Sequence, residues 1–201
     1  MNRLPEILHG VAVKKYATVA EIASVTGVDA DQVRDFVETA TASGRLLVNG
    51  DKYLLTPLAQ VALRFDYSRQ FDAVRSDNFF RTAYDRFESI NADLKSLITR
   101  WQTIDTRGAR VANDHSDREY DMEIIADLGD INDDVDSLLR IFESALPRFA
   151  YYRVNLSAAL EKAEAGAHEW VSSTRVLSYH TLWFELHEDL LRILDKRRRE
   201  E

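Results

Sequence analysis

A chain of 201 residues with 45% apolar and 30% charged residues can bury a real core in one or two small domains. The absence of cysteine excludes disulfides, thiolate metal sites and a cysteine nucleophile, and a net charge of −8 disfavours nonspecific adhesion to nucleic acid or to an anionic membrane. No apolar run reaches membrane-spanning length and the opening MNRLPEILHG lacks a secretory apolar segment, so a cytoplasmic protein with no membrane partner is expected.

In chain order, Leu4, Ile7, Leu8, Val11 and Tyr16 fit a first helix. Thr18 is placed to cap a second, with Val19, Ile22 and Ala23 on one face and Gly27 where it must stop. Asp29 caps a third, with Gln32 three residues on in a capping-box pattern and Val33, Phe36, Val37 and Ala40 as the apolar stripe; Gly44 ends it. Leu46, Leu47 and Val48 are β-compatible, Asn49-Gly50 is a hairpin turn signal, and Tyr53, Leu54 and Leu55 return. Thr56 then caps a further helix that carries Pro57 at its first position. Residues 18 to 63 therefore read as a winged helix-turn-helix, a module that most often holds DNA.

The stretch AEIASVTGVDADQVRDFVETATASGRL with the return YLLTPLAQVAL resembles the winged-helix domains of bacterial MarR-like regulators. The resemblance covers the first third of the chain. It implies double-stranded DNA as partner, a homodimer, and the helix at 29 to 44 in the major groove. Gln32 and Arg34 near the start of that helix are candidate base readers, with Thr39 and Thr41 further along; Arg45 and Lys52, with Lys14 and Lys15, are candidate backbone contacts. The signature of GntR-type regulators and their metal-binding effector pattern are not evident. Charge argues the other way. Residues 1 to 62 hold six Lys/Arg against seven Asp/Glu, and the reading helix itself carries Asp29, Asp31, Asp35 and Glu38. That is not a basic footprint, so a protein-interaction module is the competing reading.

The remaining two thirds reads as helical, with a heptad habit. Phe80, Ala83, Phe87, Ile90, Leu94, Leu97 and Trp101 alternate spacings of three and four. They predict one helix from about Ser68 to Thr103, or two with a break near Asn91. Ile124, Leu128, Ile131, Val135, Leu138, Phe142 and Ala145 form a second set, begun by Ser116 with Glu119 as a capping box and ended by Pro147. Phe149, Tyr152, Leu156, Ala159 and Ala163 form a third, stopped by Gly166. His180, Trp183, His187, Leu190 and Leu194 form the seam of a last helix, which runs into the charged KRRREE. The acidic residues Asp127, Asp130, Asp133, Asp134 and Asp136 fall off the apolar seam and read as a solvated face. The Lys196–Arg199 run suits a helix C-terminus.

The fold expected is thus mainly α: a winged helix-turn-helix with a small β-hairpin over 1–66, then a bundle of about four long helices over 67–201 that serves dimerisation and effector sensing. IDTRGARVANDH, from Ile104 to His115, is expected as the one substantial loop, and its polar residues suit either a helix cap or a ligand. An effector pocket between helices would use His180, Trp183 and His187 facing Trp101 or Tyr120, with His115 nearby; the plainer account is that the histidines are satisfied core residues. No metal and no cofactor are expected. His180 and His187 lie about 10 Å apart on a helix, too far for one ion, and spacing gives no support to His115 with His187.

No phosphate-binding glycine loop, nucleophile elbow or HExxH helix is present, so the chain is not expected to be an enzyme. NDHSDREYD, LPRFAYY and SYHTLWFELHEDLL, spanning about residues 80 to 195, resemble a poorly characterised group of bacterial winged-helix proteins, some associated with phosphoenolpyruvate-utilising enzymes. The expected function is a DNA-binding transcriptional regulator, dimeric and responsive to a small-molecule effector. The alternative is an accessory subunit that docks on a partner enzyme.

Overall fold

The structure, a computed structural model, describes residues 3–106 and 108–197. The chain is mainly helical with small two-stranded antiparallel hairpins. It divides into two compact units. Unit 1 takes the described residues up to Asp77 together with those from His187 onward, and unit 2 is Asn78–Leu186.

Unit 1 opens with α1 (Leu4–Lys14), α2 (Val19–Thr26) and α3 (Ala30–Ala42), continues through strands β1 (Leu46–Asn49) and β2 (Lys52–Leu55), and resumes with α4 (Pro57–Gln70) and α5 (Asp72–Ser76). Local chemistry accounts for the starts and stops. The Thr18 hydroxyl accepts from the Glu21 N–H at 3.2 Å, while the Glu21 carboxylate accepts from the Thr18 N–H at 2.7 Å. This is a complete capping box. Partial burial opposes the charged form of Glu21, yet these bonds to Thr18 hold its carboxyl below the usual range. Gly27 ends α2 at φ 70°, a conformation that needs no Cβ, and its N–H reaches the Ala23 carbonyl. Asp29 caps α3 by accepting from the N–H groups of Asp31 and Gln32.

Leu46 pairs with Leu55 and Asn49 with Lys52, so the two-residue turn is Gly50-Asp51, one position later than the Asn-Gly signal suggests. Gly50, at the first turn position, takes the positive φ. Ile7, Leu8, Val11, Ile22, Val25, Val33, Val37, Ala40, Leu46, Ala59 and Leu63 form the core.

One close approach sets how α1 meets α2. A Cβ placed on Gly10 would lie 2.6 Å from Thr26 Cγ2 and 3.3 Å from Ile22 Cγ2. The Thr26 hydroxyl donates to the Ile22 carbonyl at 2.7 Å and so pins the methyl in place. Gly10→Ala is therefore expected to destabilise unit 1 by about 1–2 kcal/mol in urea denaturation, the overpacking outweighing the gain in helix propensity. Thr26→Ser in the same chain should recover most of that loss, a coupling that a double-mutant cycle reads directly.

Unit 1 does not end where the hydrophobic pattern alone places a boundary, after residue 66. Tyr67 and Phe71 are buried with the ring of His9, and the Arg75 Nε–H donates to the Ile193 carbonyl at 2.5 Å. These contacts draw residues 67–77 and the chain's last described segment into the same core.

Unit 2 contains α6 (Asn78–Gln102), the β3–β4 hairpin (Thr103–Thr106 and Ala109–Ala112), α7 (Arg118–Ala145), a 3-10 turn at Pro147–Phe149, α8 (Ala150–Glu164), the short α9 (Glu169–Ser172), and the first half of α10 (Tyr179–Ile193). The seam residues of α6 are buried as the heptad spacing predicts, as are those of α7 except the half-buried Ile131 and Ala145, and α7 packs on both α6 and α8. Three expectations are corrected. The long helix does not break at Asn91; it begins afresh at Asn78, and Asn91 sits inside α6 because its side chain accepts from the Trp183 indole N–H at 3.0 Å. The expected loop at 104–115 contains a hairpin, Thr103 pairing with Ala112 and Thr106 with Ala109. The cap of α7 is Asp117 rather than Ser116; its carboxylate accepts from the N–H groups of Glu119 and Tyr120.

On α10 the buried face is broader than the predicted seam. Tyr179, Leu182, Trp183, Glu185, Leu186, His187, Asp189 and Leu190 are buried, whereas His180 is half-buried and Leu194 lies past the helix end. Burial, with the Asp133 charge adding to it, pushes the Tyr179 phenol up. Asp127, Asp130, Asp133, Asp134 and Asp136 of α7 face outward or lie half-buried, Asp127 bonded by Arg100 and Asp136 by Arg140. Lys196 and Arg197 follow α10, and the rest of the Lys196–Arg199 run lies outside the described residues. Among the described residues no helix is long and apolar enough to cross a membrane.

Candidate functional site

Among the described residues, two places gather polar side chains in a form that can do chemistry or recognition, one in each unit. In unit 1 it is the outer face of α3. Val33, Val37 and Ala40 bury the inner face, which leaves Asp31, Gln32, Arg34, Asp35, Glu38 and Thr39 exposed. The five residues expected to contact DNA lie on α3, at its C-terminal exit and on the hairpin, and most are already engaged. The Arg34 guanidinium is hydrogen-bonded by Asp31, which holds it more firmly protonated. The Thr39 hydroxyl donates back to the Asp35 carbonyl at 2.9 Å. Arg45 is exposed, with Nη1 at 3.4 Å from the Ser43 hydroxyl. The Lys52 ammonium sits over the Tyr16 ring at 5.1 Å, and the Tyr16 hydroxyl donates to the Asn49 carbonyl at the hairpin turn. Gln32 is exposed on the first turn. In the same unit, Leu58, Val61 and Phe65 place an exposed apolar stripe along α4.

The second place is in unit 2, where the β3–β4 hairpin leads into α7. Asp121, in the first turn of α7, is fully buried. Its Oδ2 lies 3.0 Å from His115 Nδ1 and 3.8 Å from His168 Nδ1. Among the described residues these two imidazoles are its ion-pair partners. Asn113 ties the group together. Its Nδ2 donates to Asp121 Oδ1 and to the Trp101 carbonyl, each at 3.0 Å, while its Oδ1 accepts from the His115 N–H. His115 takes φ 58°, an uncommon conformation for a residue with a Cβ. The buried Trp101 ring packs against both imidazoles, with centroids 4.5 Å from His115 and 5.5 Å from His168. Both histidines remain about one third exposed, at 34% and 39% of the side chain. His168 also lines a cavity of about 570 Å³ with Arg118, Met122 and Ile125.

The structure thus divides the residues expected to form one effector pocket. Trp101 and His115 come together, joined by Asp121 and His168, which sequence reasoning did not single out. Tyr120 is half-buried, and its hydroxyl donates to the Arg100 carbonyl. Trp183 has different ring partners: it stacks on Phe87 at 4.9 Å and on Tyr179 at 6.1 Å. His187 is buried and belongs to unit 1. A signal for Asp121 was present in the sequence. It stands three residues before Ile124 and seven before Leu128, which puts a carboxylate on the apolar face of α7. His168, just past the end of α8, carries no comparable periodic signal.

A third polar chain is internal to unit 1. His9 Nε2 lies 2.9 Å from Asp189 Oδ1, and His9 Nδ1 lies 2.6 Å from the Tyr67 hydroxyl, all three residues being buried. It links α1, α4 and α10, and Tyr67 also lines a cavity of about 540 Å³ with Val61, Arg64 and Leu191.

No family model, curated protein or solved structure matches this chain.

Proposed function

We propose that unit 1 is a winged helix-turn-helix and that the protein is a transcriptional regulator that reads double-stranded DNA with α3. The observation that carries this reading is the order α1-α2-α3-hairpin-α4, with α3 held by one face and its other face exposed directly after the Gly27 turn. That arrangement suits insertion of a helix into a major groove, with the Gly50-Asp51 turn placed as a wing. Gln32, Arg34 and Thr39 would meet base edges, and Arg45 and Lys52 the phosphates. The exposed Leu58, Val61 and Phe65 stripe supports pairing of two copies, which a two-fold operator requires.

The acidity of α3 favours a second reading, a regulatory subunit that docks this face on a basic surface of a partner enzyme. Three exposed carboxylates stand there against one guanidinium that is already paired.

The two readings separate in one experiment. Fluorescence anisotropy with duplexes from upstream of the protein's own gene should show binding that weakens steeply between about 50 and 200 mM salt. Arg34→Ala should weaken it roughly tenfold. Asp31→Asn, which releases Arg34 and removes a repelling charge, should tighten it. Absence of any duplex binding at low salt ends the DNA reading; co-purification of an enzyme, lost on Asp31→Asn with Glu38→Gln, would establish the docking one.

A further inference from the structure

We propose that His115, Asp121 and His168 bind one divalent first-row transition metal, with zinc as the reference ion. This goes beyond the DNA reading and does not rest on it, since every residue involved belongs to unit 2. It also revises the sequence-based expectation that no metal would be held.

The ligand set comes first. Two imidazoles and one carboxylate suit zinc and its neighbours in the first row, and three protein ligands leave a position for water or an exchangeable anion. Distance is the second test. One donor atom from each of the three residues lies within 4.8 Å of the other two. Donors about 2.1 Å from a tetrahedral zinc stand roughly 3.4 Å from each other. The carboxylate oxygen at 3.0 Å from one imidazole and 3.8 Å from the other straddles that separation. Closing the set needs shifts of a few tenths of an ångström there and a turn of the half-exposed His168 ring.

The surroundings are those of a metal site as well. A ligating carboxylate is normally oriented by a second hydrogen bond, and Asn113 supplies it by donating to Oδ1, so that Oδ2 is the oxygen nearest the imidazoles. The buried Trp101 ring closes one side of the cluster, and the cavity beside His168 gives a route in from solvent. Asp121 is the group that asks for such a partner. A fully buried carboxylate without lysine or arginine is costly, and a divalent cation compensates it more completely than two imidazoles alone.

The test uses the full chain without an affinity tag, stripped by a chelator and titrated with Co2+ and then Zn2+. One equivalent of Co2+ should produce visible ligand-field bands, Zn2+ should abolish them, and either metal should raise the melting temperature. His168→Ala, a half-exposed substitution whose fold is checked by circular dichroism, should weaken Zn2+ binding at least about tenfold, and Asn113→Ala should do so by about tenfold while leaving all three ligands in place. His115→Ala should abolish the bands. The proposal is overturned if the parent chain takes up neither metal at micromolar concentration, or if affinity and spectrum are unchanged in both histidine variants.

Discussion

Asp189→Ala is expected to destabilise unit 1 by about 3 kcal/mol, the largest single-site loss we foresee there. Asp189 is fully buried and lies 2.9 Å from His9 Nε2. In the tautomer that donates this proton to the carboxylate, Nδ1 accepts from the Tyr67 hydroxyl at 2.6 Å. Alanine removes the acceptor, leaves the imidazole N–H facing a small void, and loosens the partner that orients the Tyr67 hydroxyl. Asp189→Asn keeps an oxygen acceptor and should cost about 1 kcal/mol, while Tyr67→Phe, which removes only the hydroxyl, should cost about 1–2 kcal/mol. Urea denaturation followed by far-UV circular dichroism gives the totals, and amide exchange in α1 reports whether the loss falls in unit 1. An Asp189→Ala chain within about 0.5 kcal/mol of the parent would show that the three buried groups carry no structural weight.

The corresponding prediction for unit 2 is that Trp183→Ala costs about 3–5 kcal/mol. The indole is buried and stacks on Phe87 and Tyr179 with interplanar angles of 19° and 20°. Its N–H donates to the Asn91 side-chain Oδ1 in the middle of α6. Truncation removes the aromatic packing and leaves a buried carboxamide without that donor. The two contributions are separable. Trp183→Phe keeps most of the packing and should cost about 1–2 kcal/mol through Asn91, and Asn91→Leu in the Trp183→Phe background should recover a good part of it. If Trp183 instead served a ligand pocket, Trp183→Ala would change binding with little effect on stability, and thermal denaturation distinguishes the two.

Much of the helical framework is legible because its signals are local. Thr18, Asp29, Thr56 and Pro57 mark helix starts through hydrogen bonds made within three residues, and Gly27 and Gly166 mark ends through their positive φ. The heptad spacings of α6 and α7 follow from one buried face per helix. What escapes the sequence depends on partners far along the chain. Asn91 looks like a helix breaker until Trp183 is known to bond it. Glu185 and Asp189 look like outer-face charges, yet both are buried, and Asp189 meets His9 from the opposite end of the chain. The β3–β4 hairpin was within reach, since Thr103, Ile104, Thr106 and Val111 flank a glycine turn, but polar residues on both sides masked the alternation. The cluster of His115, Asp121 and His168 needed two elements brought together, and single-sequence periodicity carries no such information.

Unit 1 is built from both ends of the polypeptide, with unit 2 made wholly from the stretch between them. During synthesis the ribosome therefore releases everything unit 2 requires before it releases Asp189 and Ile193, on which His9 and Arg75 wait. Vectorial folding then runs middle first, and the helices of unit 1 stay incompletely closed until the segment from His187 onward has emerged. A nascent chain that stalls or is cut short just before His187 would carry a finished middle and an open head, exposing apolar surface for proteases and chaperones to recognise.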